Sequence, residues 1–183
     1  MIPVKVWGLK QSPDNCSFSA VTQQDNITPY CLLPIDKDDF DPLDARTILK
    51  VQNQIISNNK SPNVQVIVID HNDLESPDTD LFESSFYNLS YLSYSVSKTY
   101  LIFCDLTKTN VTGDNFVEIS DKLNSDLRRL AIYWPGRCYY LDLSQVIIDQ
   151  DWQDSETLNN YGQEKLAYSL IRVLLGTPQE VFN

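Results

Sequence analysis

Two nearly continuous aliphatic runs, VQVIVID at 64–70 and TYLIFCDL at 99–106, constrain most strongly what this chain can fold into. A strand with one face in water alternates apolar and polar residues, whereas an unbroken apolar run is typical of a strand buried on both faces. The stretch between them, 80–96, repeats bulky apolar residues at helical spacing. A buried strand, a helix and a second buried strand predict a right-handed crossover within a parallel sheet.

The rest of the chain continues this alternation of strands and helices. Further strands are predicted at 2–7, 30–35 and 137–143, and further amphipathic helices at 44–59, 114–134 and 158–176. Asp44 is the predicted N-cap of the first of these helices, and Gly176 the predicted stop of the last. The order predicts an α/β fold with a three-layer, doubly wound, mostly parallel five-stranded sheet. At 183 residues the chain is long enough to form one such domain over 1–183.

Charge and apolar patterning exclude some classes of partner. The formal net charge is −11, so the surface repels phosphate backbones and anionic lipid headgroups, and no nucleic-acid partner is expected. No apolar run approaches the roughly 20 residues that a membrane helix needs, so no membrane span is expected. The first residues lack the charged and apolar regions of a secretory signal, which predicts a cytoplasmic protein.

The cysteine and histidine content bears on metals and cofactors. The four cysteines show no CxxC spacing and there is one histidine, His71, so neither a zinc site nor any other metal or cofactor is predicted. Aspartates cluster at 36–41 and 149–154. Such oxygen ligands suit Mg²⁺ or Ca²⁺, but solvated acidic loops are commoner and the spacing matches no EF-hand loop.

In open parallel sheets, ligands bind beyond the carboxyl ends of the strands. DHNDL at 70–74 follows one predicted strand there, and DSETLNNYGQEKLAYSLIRVLL at 154–175 closes the chain. Together they resemble the SGNH, or GDSL-type, hydrolase family, and topological similarity to that family extends over most of the chain. The resemblance implies a flavodoxin-like or SGNH-like sheet. It also implies that Asn72 is the oxyanion donor and Asp154 the aspartate that precedes the catalytic histidine.

The chain departs from this family at two catalytic positions. Thr157 occupies the place of the histidine, and Lys10 the place of the serine nucleophile, with Ser12 two residues further on. Ester hydrolysis by this route needs a serine whose proton passes to an imidazole, and a threonine cannot act as that base near neutral pH. Because successive residues of a strand point to opposite sides, His71 is expected at the rim, beside Asn72.

The favoured hypothesis is therefore a degenerate SGNH-like domain without catalysis, a binding or scaffold module. Its partner would be another protein, or a small ester or carbohydrate ligand. One alternative is an active ester hydrolase with a rearranged site that uses Ser12 and His71. A second alternative is a cysteine-peptidase-like enzyme that pairs His71 with Cys104, since both follow or end aliphatic strands. A surface for carbohydrate or peptide could also come from five tyrosines: Tyr87, Tyr91, Tyr94, Tyr139 and Tyr140.

Overall fold

The computed structural model describes residues 2–7, 30–33, 45–57, 63–70, 73, 79–96, 99–106, 114–144, 146–154 and 157–182. The strands are β1 (Ile2–Trp7), β2 (Tyr30–Leu33), β3 (Asn63–Ile69), β4 (Thr99–Asp105) and β5 (Cys138–Asp142). The helices are α1 (Ala45–Ser57), α2 (Thr79–Val96), α3 (Asp114–Tyr133) and α4 (Asn160–Phe182). A 3₁₀ turn, Asp149–Asp151, lies between β5 and α4.

The strands lie side by side and run in the same direction. Strands β1, β3, β4 and β5 form the body of the sheet in that order, and the short β2 pairs outside β1. The two aliphatic runs occupy its centre, and every residue of β3 is buried. The predicted α/β class, with a parallel sheet flanked by helices, is confirmed.

The two faces of the sheet bury separate apolar clusters. Alternate residues of β3 and β4, such as Val66 and Ile102, pack with α4 through Leu166 and Leu170. The intervening residues pack with α1, α2 and α3, and the largest of them is Phe103. Each central strand contributes side chains to the apolar clusters on both faces of the sheet. Its residues must therefore be apolar at nearly every position, which explains the unbroken runs in the sequence.

Polar side chains among the buried residues are joined across three strands. The Trp7 indole N–H donates to Gln65 Oε1 at 2.7 Å, and Gln65 Nε2 donates to Asn63 Oδ1 at 3.0 Å. Asn63 Nδ2 in turn donates to Thr99 Oγ1 at 3.0 Å. A shift of one residue in the register would break these bonds and leave buried polar groups unsatisfied, so the network favours a single alignment of β1, β3 and β4.

Some predicted boundaries were wrong. The last helix starts at Asn160, while Leu158 makes an isolated antiparallel bridge with Trp152. The same helix continues through Gly176 to Phe182. A glycine inside a helix costs only about 1 kcal/mol, which is too little to end a helix whose earlier turns are packed against the sheet. The proposed cap, Asp44, lies outside the described residues.

Candidate functional site

Carboxylates collect where β3, β4 and β5 end. Register pairing places Ile69, Asp105 and Asp142 in one row across the sheet, and Asp70 follows directly after Ile69. Asp70 and Asp105 are both buried. This edge is where ligands bind in open parallel sheets, so the topology brings polar groups from three strands to one candidate site.

Tyr140 connects β5 to this row. Its hydroxyl donates to Asp105 Oδ2 at 3.2 Å, and the Arg128 guanidinium lies over its ring at 4.8 Å. Arg128 also reaches Asp142 Oδ2 at 3.5 Å. Burial, and then the neighbouring Asp105 and Asp142 carboxylates, raise the pKa of the Tyr140 hydroxyl. The hydroxyl therefore stays protonated at physiological pH and can donate its hydrogen bond to Asp105.

The turn after β3 is closed by two aspartates. The backbone N–H of Asp70 donates to Asp73 Oδ2 at 2.9 Å, and the backbone N–H of Asp73 donates to the Asp70 carbonyl at 3.2 Å. Asp73 is buried and so serves to shape this turn. The residues between them, His71 and Asn72, lie outside the described residues, as does Ser12. Their roles at the site remain predictions.

Hydrogen bonds join Thr157, which lies shortly before α4, to Gln153 and Asp154. The Gln153 N–H donates to the Thr157 carbonyl at 2.8 Å, and the Thr157 N–H donates to Asp154 Oδ1 at 2.8 Å. Thr157 is buried, while Asp154 is exposed. The structure therefore brings together Asp154 and Thr157, the two described residues of the predicted set, but one carboxylate oxygen of Asp154 binds a backbone amide.

The start of α4 is held to the 3₁₀ turn that follows β5. Asn159 caps the helix by accepting the Gly162 N–H at 2.9 Å, and its own N–H donates to the Asp151 carbonyl at 2.8 Å. A Cβ atom added at Gly162 would clash with that same Asp151 carbonyl oxygen. Only a glycine allows the helix to approach the turn this closely, and this contact fixes the segment that carries Thr157.

We expect Gly162→Ala to lower the free energy of unfolding by about 2 kcal/mol, since overpacking of this kind costs roughly 1–3 kcal/mol. At a helical position with free space, a change from glycine to alanine would raise the free energy of unfolding by roughly 1 kcal/mol. A decrease at Gly162 would therefore show that the helix lies in close contact with the Asp151 carbonyl. Urea unfolding of the variant measures it, with the exposed Asn160→Ala as control. An unchanged or higher midpoint for Gly162→Ala would contradict the contact.

Cys104 lies inside β4 and is fully buried. Burial, and then the adjacent Asp105 carboxylate, raise the pKa of its thiol. Both effects disfavour the thiolate that a cysteine nucleophile requires. The environment is therefore that of a small core residue, packed in the cluster beneath α4.

Neither the hydrogen bond of Tyr140 nor the burial of Asn124 was predicted from the sequence. Tyr140 lies in a predicted strand, and nothing in the pattern of β5 shows that its hydroxyl meets Asp105. Asn124 of α3 is buried, and neither atom of its side-chain amide has a hydrogen-bond partner among the described residues. Its neighbours Leu123 and Leu127 belong to the apolar stripe of the helix, so helical periodicity gives no signal for a buried amide.

The described part of the chain contains no candidate metal site and no candidate membrane-spanning helix. No three His, Cys, Asp or Glu side chains within it are grouped so that they could hold a metal ion. Nor does any helix within it have the length and apolar character needed to cross a bilayer.

Together these features define an α/β protein with a parallel sheet and a polar, largely carboxylate site at the carboxyl ends of its strands. Comparison with known proteins finds neither a family model nor a curated protein that matches this chain. Any function must therefore be argued from the site itself.

Proposed function

We propose that the chain is a doubly wound, five-stranded SGNH-like domain that binds a ligand or partner at the carboxyl ends of its strands without hydrolysing it. The parallel pairing of β1, β3, β4 and β5 supports the fold assignment. The spacing of Asp154, Asn159 and Gly162, just before and within the first turn of α4, supports the comparison with that family's closing block.

The observation that carries the proposal is the environment of Thr157. This residue stands where the family has its catalytic histidine. It is buried, and its backbone N–H donates a hydrogen bond to Asp154 Oδ1 at 2.8 Å. A threonine hydroxyl cannot accept a proton from a serine near neutral pH, because its conjugate acid is far too strong. In the serine hydrolase mechanism, removal of one triad member lowers turnover by several powers of ten.

The ester-hydrolase alternative requires His71 to replace the missing imidazole and Ser12 to replace the missing nucleophile. It would also require a carboxylate to orient His71, whereas the carboxylates of Asp70 and Asp73 each accept a hydrogen bond from the other residue's backbone N–H. The cysteine-peptidase alternative requires a Cys104 thiolate. Full burial of that thiol and the raised pKa weigh against it.

The chemistry of the edge indicates which ligand the proposed binding site would take. Arg128 supplies N–H donors and a positive charge at the rim, and the Tyr140 hydroxyl oxygen and the Asp105 and Asp142 carboxylates supply acceptors. Donors and acceptors in this mixture suit the hydroxyl and carbonyl groups of a small ester or a carbohydrate.

The catalytic half of the proposal is tested by hydrolysis of a short acyl ester, p-nitrophenyl acetate, at neutral pH. We expect wild type, Ser12→Ala and His71→Ala to release product at the same rate, because none of them contains a serine with a functioning base. Ser95→Ala, at an exposed helical position, is the matched control. Wild-type turnover that falls by two or more powers of ten in Ser12→Ala would contradict the proposal.

The binding half uses the same preparations with an acetylated monosaccharide as the probe. A ligand that binds only the folded state raises the unfolding temperature in a concentration-dependent way. We expect such a rise in wild type and its loss in Arg128→Gln, since this exposed guanidinium lies at the rim of the site. A rise of equal size in Arg128→Gln would place the ligand elsewhere on the molecule.

A further inference from the structure

A groove of about 210 Å³ lies between α2 and α3, on the layer away from α4. Buried apolar side chains contribute to its lining, among them Phe86 and Leu127. Two tyrosines that also line it, Tyr87 and Tyr133, are more than half exposed. Apolar rings that remain in water around an apolar groove are typical of a surface that another molecule covers.

The exposed rings extend beyond the groove. Tyr91 and Tyr94 follow Tyr87 at helical spacing on α2, and each is more than half exposed. Next to Tyr133 at the end of α3, Ile132 is the most exposed of the large apolar residues described. The sequence-based expectation of exposed aromatics thus holds for three tyrosines of α2, while Tyr139 and Tyr140 of β5 are half-buried.

The charged residues that line the groove have a net charge of zero, whereas the chain as a whole is acidic. Its charged lining consists of two acidic side chains, Glu83 and Asp126, and two basic ones, Lys122 and Arg129. The full chain has 25 acidic against 14 basic residues. Most of the surface of one molecule must therefore repel a second copy, whereas this surface does not.

Asp126 of the groove pairs with Arg129, whose Nη2 lies 3.1 Å from Asp126 Oδ1. Burial, and then the nearby Glu83 carboxylate, raise its pKa above the ordinary value, although Arg129 and Lys122 oppose the shift. A further cation brought to this carboxylate from outside would stabilise its charged form. The groove itself carries such cations in Lys122 and Arg129, so the groove of a second copy can supply one.

We propose that the α2–α3 groove is a docking surface for a second copy of this chain. In a two-fold symmetric dimer the same surface of both molecules meets, and a residue away from the symmetry axis faces a different residue of the partner. A surface that carries both signs can then place Lys122 and Arg129 of one copy against Asp126 and Glu83 of the other. The exposed tyrosines supply the apolar contact that such interfaces use.

The experiment measures molar mass by light scattering over a wide range of protein concentration. We expect wild type to shift from monomer to dimer as its concentration rises. Asp126→Arg makes the groove basic and Arg129→Asp makes it acidic, and each should raise the dissociation constant of its own dimer by about a hundredfold, because like charges then face each other. Arg172→Asp, at an exposed position of α4 on the opposite layer, is the control and should dimerise as wild type does.

An equimolar mixture of Asp126→Arg and Arg129→Asp provides the decisive measurement. Since one groove is now basic and the other acidic, the mixture should form a heterodimer although each variant alone is monomeric. A folding defect in either variant could not produce that result. Wild type that remains monomeric at every concentration, or a mixture that forms no heterodimer while the wild type dimerises, would overturn the proposal.

Discussion

Replacing Phe103 with alanine is expected to lower the free energy of unfolding by about 4 kcal/mol, the middle of the range for a buried phenylalanine. Phe103 lies in the central strand β4 and is completely buried between the sheet and the helices α1, α2 and α3. Its ring meets that of Phe86 with centroids 5.2 Å apart. The loss combines the transfer free energy of the ring with the cost of a cavity that a sheet strand cannot close.

Urea unfolding followed by circular dichroism measures this loss. Tyr168→Ala on α4 is the matched control, since it removes an aromatic ring that is half exposed, and its effect should stay within about 0.5 kcal/mol. The slope against urea should be unchanged in both variants. A small effect for Phe103→Ala, close to that of the control, would mean that β4 is not at the centre of the core.

Replacing Lys165 with methionine is expected to cost about 3 kcal/mol, because it leaves the buried Asp151 carboxylate without its cation. Lys165 Nζ lies 2.7 Å from Asp151 Oδ2 and also donates to the Val146 carbonyl at 3.2 Å. The same carboxylate oxygen accepts the Ile148 N–H at 2.8 Å. We place the effect at the lower end for buried pairs because Lys165 itself is partly exposed.

A double-mutant cycle separates the charge from the packing. Asp151→Asn combined with Lys165→Met should lose less stability than the sum of the two single variants, since the neutral amide no longer needs a cation. Arg172→Met, at an exposed position of the same helix, controls for the loss of a positive charge and should change stability by less than about 0.5 kcal/mol. Additive losses around the cycle would show that the pair is not coupled.

The central elements could be predicted because their periodicity is strong. The helix expected at 80–96 is found at Thr79–Val96, and the strand expected at 99–106 is found at Thr99–Asp105. The predicted ends of elements were wrong where a local sequence signal competes with tertiary packing. Gly176 favours the end of a helix locally, yet α4 continues past it to Phe182.

The candidate site was predictable in location but only partly in composition. Both Asp70 and Asp105 end aliphatic runs, so a parallel sheet must place them at one edge. The hydrogen bond from Tyr140 to Asp105 joins residues 35 positions apart, and no local pattern anticipates it. The bond from the Thr157 amide to Asp154 likewise depends on the turn that forms there. The positions of Ser12, His71 and Asn72 remain predictions.

The amino-acid sequence by itself determined the alternation of buried strands and amphipathic helices, and hence a parallel sheet with polar residues gathered at one end. It did so because burial on both faces demands unbroken apolar runs, and these are visible without coordinates. Only the tertiary structure decided which polar groups meet, as Tyr140 meets Asp105 and Lys165 meets Asp151. Such contacts join elements that are distant in sequence, and their geometry arises only when the layers pack.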